Sequence, residues 1–167
     1  MSSSSSLQKK PISAIAVFNG KIKGIVKFKE DLVNSSIIID IQLSGLKKNA
    51  AQGFHVHQSG DLSEQCESLC AHFNPYKKNH GCPGMKDRHV GDLGNLMSDK
   101  NGNVNIKMSD NFIKLRGSLA NIIGRGLIIH ADEDDCGLGI NAASKVNGNS
   151  GKRVACAIIG YSKENFC

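Results

Sequence analysis

SAIAVFNGKIKGIVKF, residues 13–28, sets two apolar-rich runs about an Asn19-Gly20 pair, and its reading decides the fold class. Asn-Gly is the strongest short-range hairpin signal, because both residues tolerate the positive φ that a tight two-strand turn demands. From Lys21 to Phe28 polar and apolar residues nearly alternate, the period at which a strand turns one face to a core and the other to water. The structured part of the chain is therefore expected to begin as an antiparallel pair.

Working outward, further strands are predicted over 36–43, 53–57, 103–108, 112–115, 126–130 and 154–161, each short and rich in Ile, Val, Leu or Phe. Turn chemistry separates them, as in Ser44-Gly45, Asp99-Lys100-Asn101-Gly102 and Gly148-Asn149-Ser150-Gly151. No stretch has the period of an amphipathic helix, and no repeat is visible. The pattern predicts an all-β fold, a Greek-key β-barrel or sandwich of about eight antiparallel strands. Two long segments, 58–92 and 131–153, interrupt it, and loops of that length in a compact domain usually carry function. The expected organisation is a flexible N-terminal arm at 1–11, one domain at 12–162 and a C-terminal tail at 163–167.

At 167 residues the chain suits a single domain able to bury its own core. Its net charge of +6 can attract a small anion or a polyanion and selects neither. Lysine pairs at 9–10, 47–48 and 77–78 are scattered, with no interleaved aromatics to stack bases, so no nucleic-acid partner is expected. The polar start MSSSSSLQKK and the lack of any membrane-length apolar run predict no membrane association and a cytoplasmic or otherwise intracellular protein. Cys66, Cys70, Cys82, Cys136, Cys156 and Cys167 have neither the density of a disulfide scaffold nor a CxxC zinc spacing, and most are expected as reduced thiols.

The chemistry lies in the histidines. His55 and His57 sit two apart on a predicted strand, so their imidazoles leave the same face and can share one metal ion. Taken alone, that pair also fits a polar strand face. The first long loop adds His72, His80, His89 and Asp92, a three-imidazole and one-carboxylate set that zinc accepts in tetrahedral geometry. His130 ends a later strand.

With these residues in view, the chain resembles the copper/zinc superoxide dismutase family. The resemblance rests on GFHVH at 53–57, HFNP at 72–75, RHVGDLGN at 88–95, GRGLIIHADEDD at 124–135 and GKRVACAIIG at 151–160. Matched position by position, it implies one copper ion held by His55, His57, His72 and His130, and one zinc ion held by His72, His80, His89 and Asp92. His72 would bridge the two as an imidazolate, its bond to copper breaking and re-forming in the cycle. The resemblance further implies that Asp134 accepts hydrogen bonds from His55 and His80, while Asp132, Glu133 and Asp135 read as a solvated loop. A Cys66–Cys156 disulfide would tie the long loop to the last strand and help hold Arg153, the active-site arginine, beside copper. No role follows for the other four cysteines.

The activity so implied takes two superoxide anions and two protons to dioxygen and hydrogen peroxide by alternating Cu(II) and Cu(I). Superoxide is then the substrate, a homodimer the expected assembly through Gly60, Ile123, Gly124 and the last strand, and a copper chaperone a possible partner. One departure stands out: Ala142, Ala143 and Val146 occupy positions where many eukaryotic members carry two glutamates and a lysine that guide the anion. A salt dependence unlike that of typical relatives is the expectation, resting on Arg153 and the overall positive charge. The competing readings are a non-enzymatic copper/zinc-binding or copper-transfer module and a barrel that has lost turnover. The complete ligand set and Arg153 count against both.

Overall fold

A computed structural model describes residues 10–167. Of the arm expected at 1–11, residues 1–9 lie outside the described residues. The strands are β1 (Ser13–Asn19), β2 (Lys23–Asp31), β3 (Ser36–Ser44), β4 (Ala51–Val56), β5 (Asp92–Met97), β6 (Val104–Asp110), β7 (Gly126–His130), β8 (Arg153–Ile158) and β9 (Gly160–Tyr161). They form two antiparallel sheets, ordered β6-β3-β2-β1-β9 and β5-β4-β7-β8, packed as a sandwich. The hairpin read from residues 13–28 is present, with Asn19 opposite Lys23 at its end.

Alternation decides which side chains meet. Ala14, Ala16 and Phe18 from β1, Val26 and Phe28 from β2 and Ile37, Ile39, Ile41 and Leu43 from β3 face inward, against Phe54 and Val56 of β4 and Leu127 and Ile129 of β7. Burying each large side chain contributes about 1.5–3 kcal/mol. The same alternation turns His55, and His57 just past the end of β4, to the opposite face of the second sheet. That face is not open to water: the two long loops lie over it, which is why all five residues of β7 and the last five of β4 are buried.

Two strand expectations fail. Residues 112–115 do not form a strand, because the Asp110 carboxylate accepts from the backbone N–H groups of Phe112 and Ile113 at 2.7 and 2.9 Å and turns the chain there. Ile113 and Leu115 are nonetheless core residues, the reason the segment looked like a strand. Conversely β5, DLGNLM, lacks strand propensity in its Asp, Gly and Asn. Gly94 at φ +83° and a register shift opposite Gly53–His55 bend it, so that Leu93 and Leu96 reach the core while Asp92 joins the histidines. Among the described residues the only α-helical turn is α1 (Ser144–Asn147). The tail from 163 begins with a 3-10 turn pinned to β1 by Asn165, whose side chain donates to Ser13 O at 2.6 Å.

The cysteine expectation also needs correction. Cys66 is bonded to Cys156 and Cys82 to Cys136, leaving Cys70 and Cys167 free and exposed. Spacing could not show the second pair, since 54 residues separate its members and the crossing of the two loops brings them together. In the chain-entropy account a disulfide closing a loop of this size restricts the unfolded state by about 4 kcal/mol.

Candidate metal centre

His55 and His57 arrive from β4, His130 from the end of β7, Asp92 from the start of β5, and His72, His80 and His89 from the loop between β4 and β5. All of these side chains are buried, and Phe73 and Val90 anchor their stretch of loop in the core. The ligand atoms fall into two groups: His55, His57, His72 and His130, and His72, His80, His89 and Asp92, each within 4.8 Å of one another. His72 belongs to both.

Hydrogen bonds fix which nitrogen of each ring faces inward. His57 Nδ1 donates to Cys70 O at 2.8 Å and His130 Nδ1 to Gly151 O at 3.2 Å. Their Nε2 atoms then present lone pairs to each other across 3.4 Å, an unfavourable meeting unless a cation stands between them. His55 Nε2 donates to Asp134 Oδ2 and His80 Nε2 to Asp134 Oδ1, both at 2.7 Å, so the Nδ1 atoms of both rings are the free donors. His55 Nδ1, His80 Nδ1 and His72 Nε2 are buried without a hydrogen-bond partner, and a metal ion would satisfy all three.

In the second group the Nδ1 atoms of His72, His80 and His89 stand 2.9, 3.0 and 3.1 Å from the same oxygen, Asp92 Oδ1. Tetrahedral ligands about 2.0 Å from zinc lie roughly 3.3 Å apart, so these three distances are close to the edges of one tetrahedral zinc cage that meet at Asp92 Oδ1. The other Asp92 oxygen accepts from the backbone of His89 and Gly81 at 2.8 and 3.1 Å. Arg88, buried and paired with Asp110, donates to Asp92 O at 2.6 Å and lies 4.1 Å from the Phe112 ring. The donor set therefore fits zinc, and the four-imidazole group fits copper.

Burial, then the positive charge that His72 would carry, pushes His55 down to about 3 and His57 down to about 2. Burial likewise lowers His130 to about 4. Burial also works against the charged form of His80, but its hydrogen bond to Asp134 and the adjacent Asp92 carboxylate prevail and raise it to about 9. Asp92 and Asp134 are held well below the carboxylate range, burial being outweighed by their histidine partners. For metal-free protein the signs oppose. Below about pH 6.5 the unfolded chain takes up protons that His55, His57 and His130 refuse, so stability falls as pH drops. Stability from His80 is complete below its unfolded value and is lost as pH rises toward 9. Denaturant unfolding of the metal-free chain is therefore expected to show a stability maximum near pH 7, where the protons that unfolding adds at the lowered histidines balance the one it releases from His80. A maximum displaced to pH 9 or above would contradict this balance.

A cavity of about 200 Å³ opens onto His57, His72 and His130, walled by Arg153, Val146, Asn147 and Ser150. Arg153 is clamped by backbone carbonyls: Nη1 donates to Cys66 O at 2.6 Å and Glu67 O at 3.0 Å, and Nη2 to Cys70 O at 2.5 Å. Its nearest carboxylate, Glu67, is 3.9 Å away and exposed, so the guanidinium keeps charge and spare N–H donors for the cavity. Lys145 points elsewhere, donating to Gly137 O at 2.5 Å. Val146 leaves the mouth uncharged on that side.

Several contributors escaped the sequence reading. Asn95 pins Asp134 from β5 by exchanging hydrogen bonds of 2.8 and 2.9 Å with its backbone. Gly148 leaves room for the pair, since a Cβ there would stand 2.0 Å from Asp134 Oδ1. Asp132 and Glu133 are exposed as expected, but Asp135 is half-buried and organises its loop, accepting from Ser144, Asn149 and the Gly137 backbone. Arg88 and Asn95 are the first and last residues of the RHVGDLGN stretch at 88–95, but nothing in that stretch assigned them these contacts.

Comparisons with known proteins place the chain in one family. A family model described as copper/zinc superoxide dismutase matches residues 22–159. A Cu-Zn superoxide dismutase of Paramecium bursaria Chlorella virus 1 is 56% identical over 158 residues, 95% of this chain and 83% of that relative. Cu-Zn superoxide dismutase 5 of Dictyostelium discoideum is 47% identical over 153 residues, 91% and 99% of the two chains. The crystal structure of the clock protein EA4 superposes with a TM-score of 0.87 at 40% identity, covering 92% of this chain and 97% of that one.

Proposed function

Since the chain belongs to the copper/zinc superoxide dismutase family and, with copper and zinc as cofactors, disproportionates superoxide, we propose that His55, His57, His72 and His130 hold the copper ion and His72, His80, His89 and Asp92 the zinc ion. The observation that supports this most is the sharing of His72, with Nδ1 in one group of donors and Nε2 orphaned in the other. Copper, when bound, supplies the one-electron Cu(II)/Cu(I) couple that zinc lacks.

The chain's own residues do the rest. The spare donors of Arg153 hold and orient a small anion at the cavity floor. His72 Nε2, buried at the base of that cavity, is the atom placed to carry a proton toward the reduced product. Asp134 and the carbonyls of Cys70 and Gly151 keep four rings in one tautomer each, so no reorientation is needed during turnover. The second ligand group, closed by four protein donors, orders the loop that carries Cys66 and Cys70 and hence Arg153.

Assembly and location belong to the same proposal. Gly60 lies so close to Gly124 O that a Cβ would stand 1.8 Å from it, and Leu62, Val154 and Tyr161 are exposed in the same segments. A homodimer through that surface is our reading, with a copper chaperone as the loading partner. Our reading is an intracellular compartment that leaves two exposed thiols free, in which the two disulfides would be an exception to the rule for reducing surroundings.

Purified protein loaded with equal copper and zinc is expected to consume superoxide catalytically, at a rate that falls as ionic strength rises. Screening should act on a single clamped arginine and the net charge rather than on charged residues of the cavity rim. Stopped-flow decay across ionic strengths reads this, and sedimentation of the same sample reads the dimer. Stoichiometric metal without turnover would favour the metal-transfer module, and a rate indifferent to salt would remove the steering role of Arg153.

A further inference from the structure

Two residues beyond His80 stands Cys82, two residues beyond Asp134 stands Cys136, and the two cysteines are joined. Inside that link the two loops also meet by hydrogen bonds. Asp134 Oδ1 accepts from His80 Nε2 at 2.7 Å and from the Cys136 backbone N–H at 2.8 Å, and the His80 backbone donates to Lys145 O at 2.9 Å. A short ring, closed on one side by the disulfide and on the other by the His80–Asp134 hydrogen bond, thus surrounds the contact that aims His80 Nδ1. Because Asp134 Oδ2 accepts from His55, the ring also bears on the other ligand group.

His80 lies on a segment without secondary structure, and Asp134 on another. With no ion bound, the buried Asp134 carboxylate would keep its partners only while the two segments stay together. The other disulfide, Cys66–Cys156, encloses this one in sequence but ties the loop to β8, away from the His80–Asp134 contact. Neither Cys82 nor Cys136 lines the cavity, so neither touches substrate.

We propose that Cys82 and Cys136 are positioning residues of the metal centre, their disulfide holding Asp134 on His80 and His55 before zinc arrives. The site is then largely formed in the metal-free chain, and zinc affinity contains a contribution from a bond that ligates nothing. This rests on the ligand assignment proposed above.

The test is zinc affinity, measured by competition with a chelator on the metal-free Cys82→Ser, Cys136→Ser protein with Cys66–Cys156 intact. A loss of about 10–100-fold against the parent is expected, the range typical of outer partners of metal ligands. In an Asp134→Ala background, removing the disulfide should add little further loss, because its target is gone. Unchanged affinity in the first comparison, or an equal loss in both backgrounds, would overturn the proposal. A parent protein that binds no zinc would instead overturn the ligand assignment. Amide hydrogen exchange of the metal-free parent gives a reading that needs no variant. Protection at 80–82 and 134–137 is expected, and exchange there at unfolded rates would also overturn the idea.

Discussion

Replacing His72 with alanine is expected to lower turnover by at least about 100-fold and to weaken copper and zinc binding together, by more than the 10–100-fold typical of changes outside the ligand shell. The reason is its place in both groups of donors. Without it the first group keeps His55 Nδ1, His57 Nε2 and His130 Nε2, and the second keeps the Nδ1 atoms of His80 and His89 with Asp92. Three donors remain in each, and each loses the member that fixes its distance from the other. His57→Ala and His89→Ala are the controls, expected to weaken copper alone and zinc alone. Elemental analysis after dialysis against a chelator, beside the superoxide assay, separates the three patterns. If His72→Ala lost one metal and kept the other at full affinity, the shared-ligand reading would be wrong.

How legible such a site is in its sequence depends on where its information lies. The hairpin at 13–28 announces itself locally, through Asn-Gly and alternation, and it forms, although its turn lies at 20–22 with Asn19 still paired to Lys23 and neither Asn19 nor Gly20 at positive φ. His55 and His57 are legible for the same reason: period two puts them on one face. Donor type on one loop suggested a zinc set at His72, His80, His89 and Asp92, but the joining of that set to His130 and the sharing of His72 were legible only through the family motifs, because nothing local brings these residues together. β5 was missed because its Asp, Gly and Asn serve the site and the bulge rather than strand propensity, and it is held by pairing to β4. Residues 112–115 erred the other way, as a buried apolar run cannot by itself tell a strand from a packed turn. The Asn95–Asp134 hydrogen bonds and the Cys82–Cys136 bond join segments remote in sequence, and no pattern within either segment encodes them.

The same crossing of loops makes the effect of Asp134→Asn selective. The carboxylate accepts from His55 Nε2 at one oxygen and from His80 Nε2 at the other, and the oxygen facing His80 also accepts from the Cys136 backbone. An asparagine has one acceptor oxygen and one donor NH2 group. Its oxygen should occupy the position that serves two donors, His80 and Cys136, leaving the NH2 against His55 Nε2–H. That donor-to-donor contact, buried without water, can be relieved only if His55 moves its proton to Nδ1. Nδ1 is the atom it must offer to copper. Copper affinity is therefore expected to fall about 10–100-fold while zinc affinity changes by much less. In Asp134→Ala both partners lose their acceptor and both affinities should fall. Competition titrations for each ion on the two variants decide it, with the copper absorption spectrum as a check on ring geometry. Equal losses of the two metals in Asp134→Asn would mean that the amide lies the other way round or that the Cys136 N–H does not orient it.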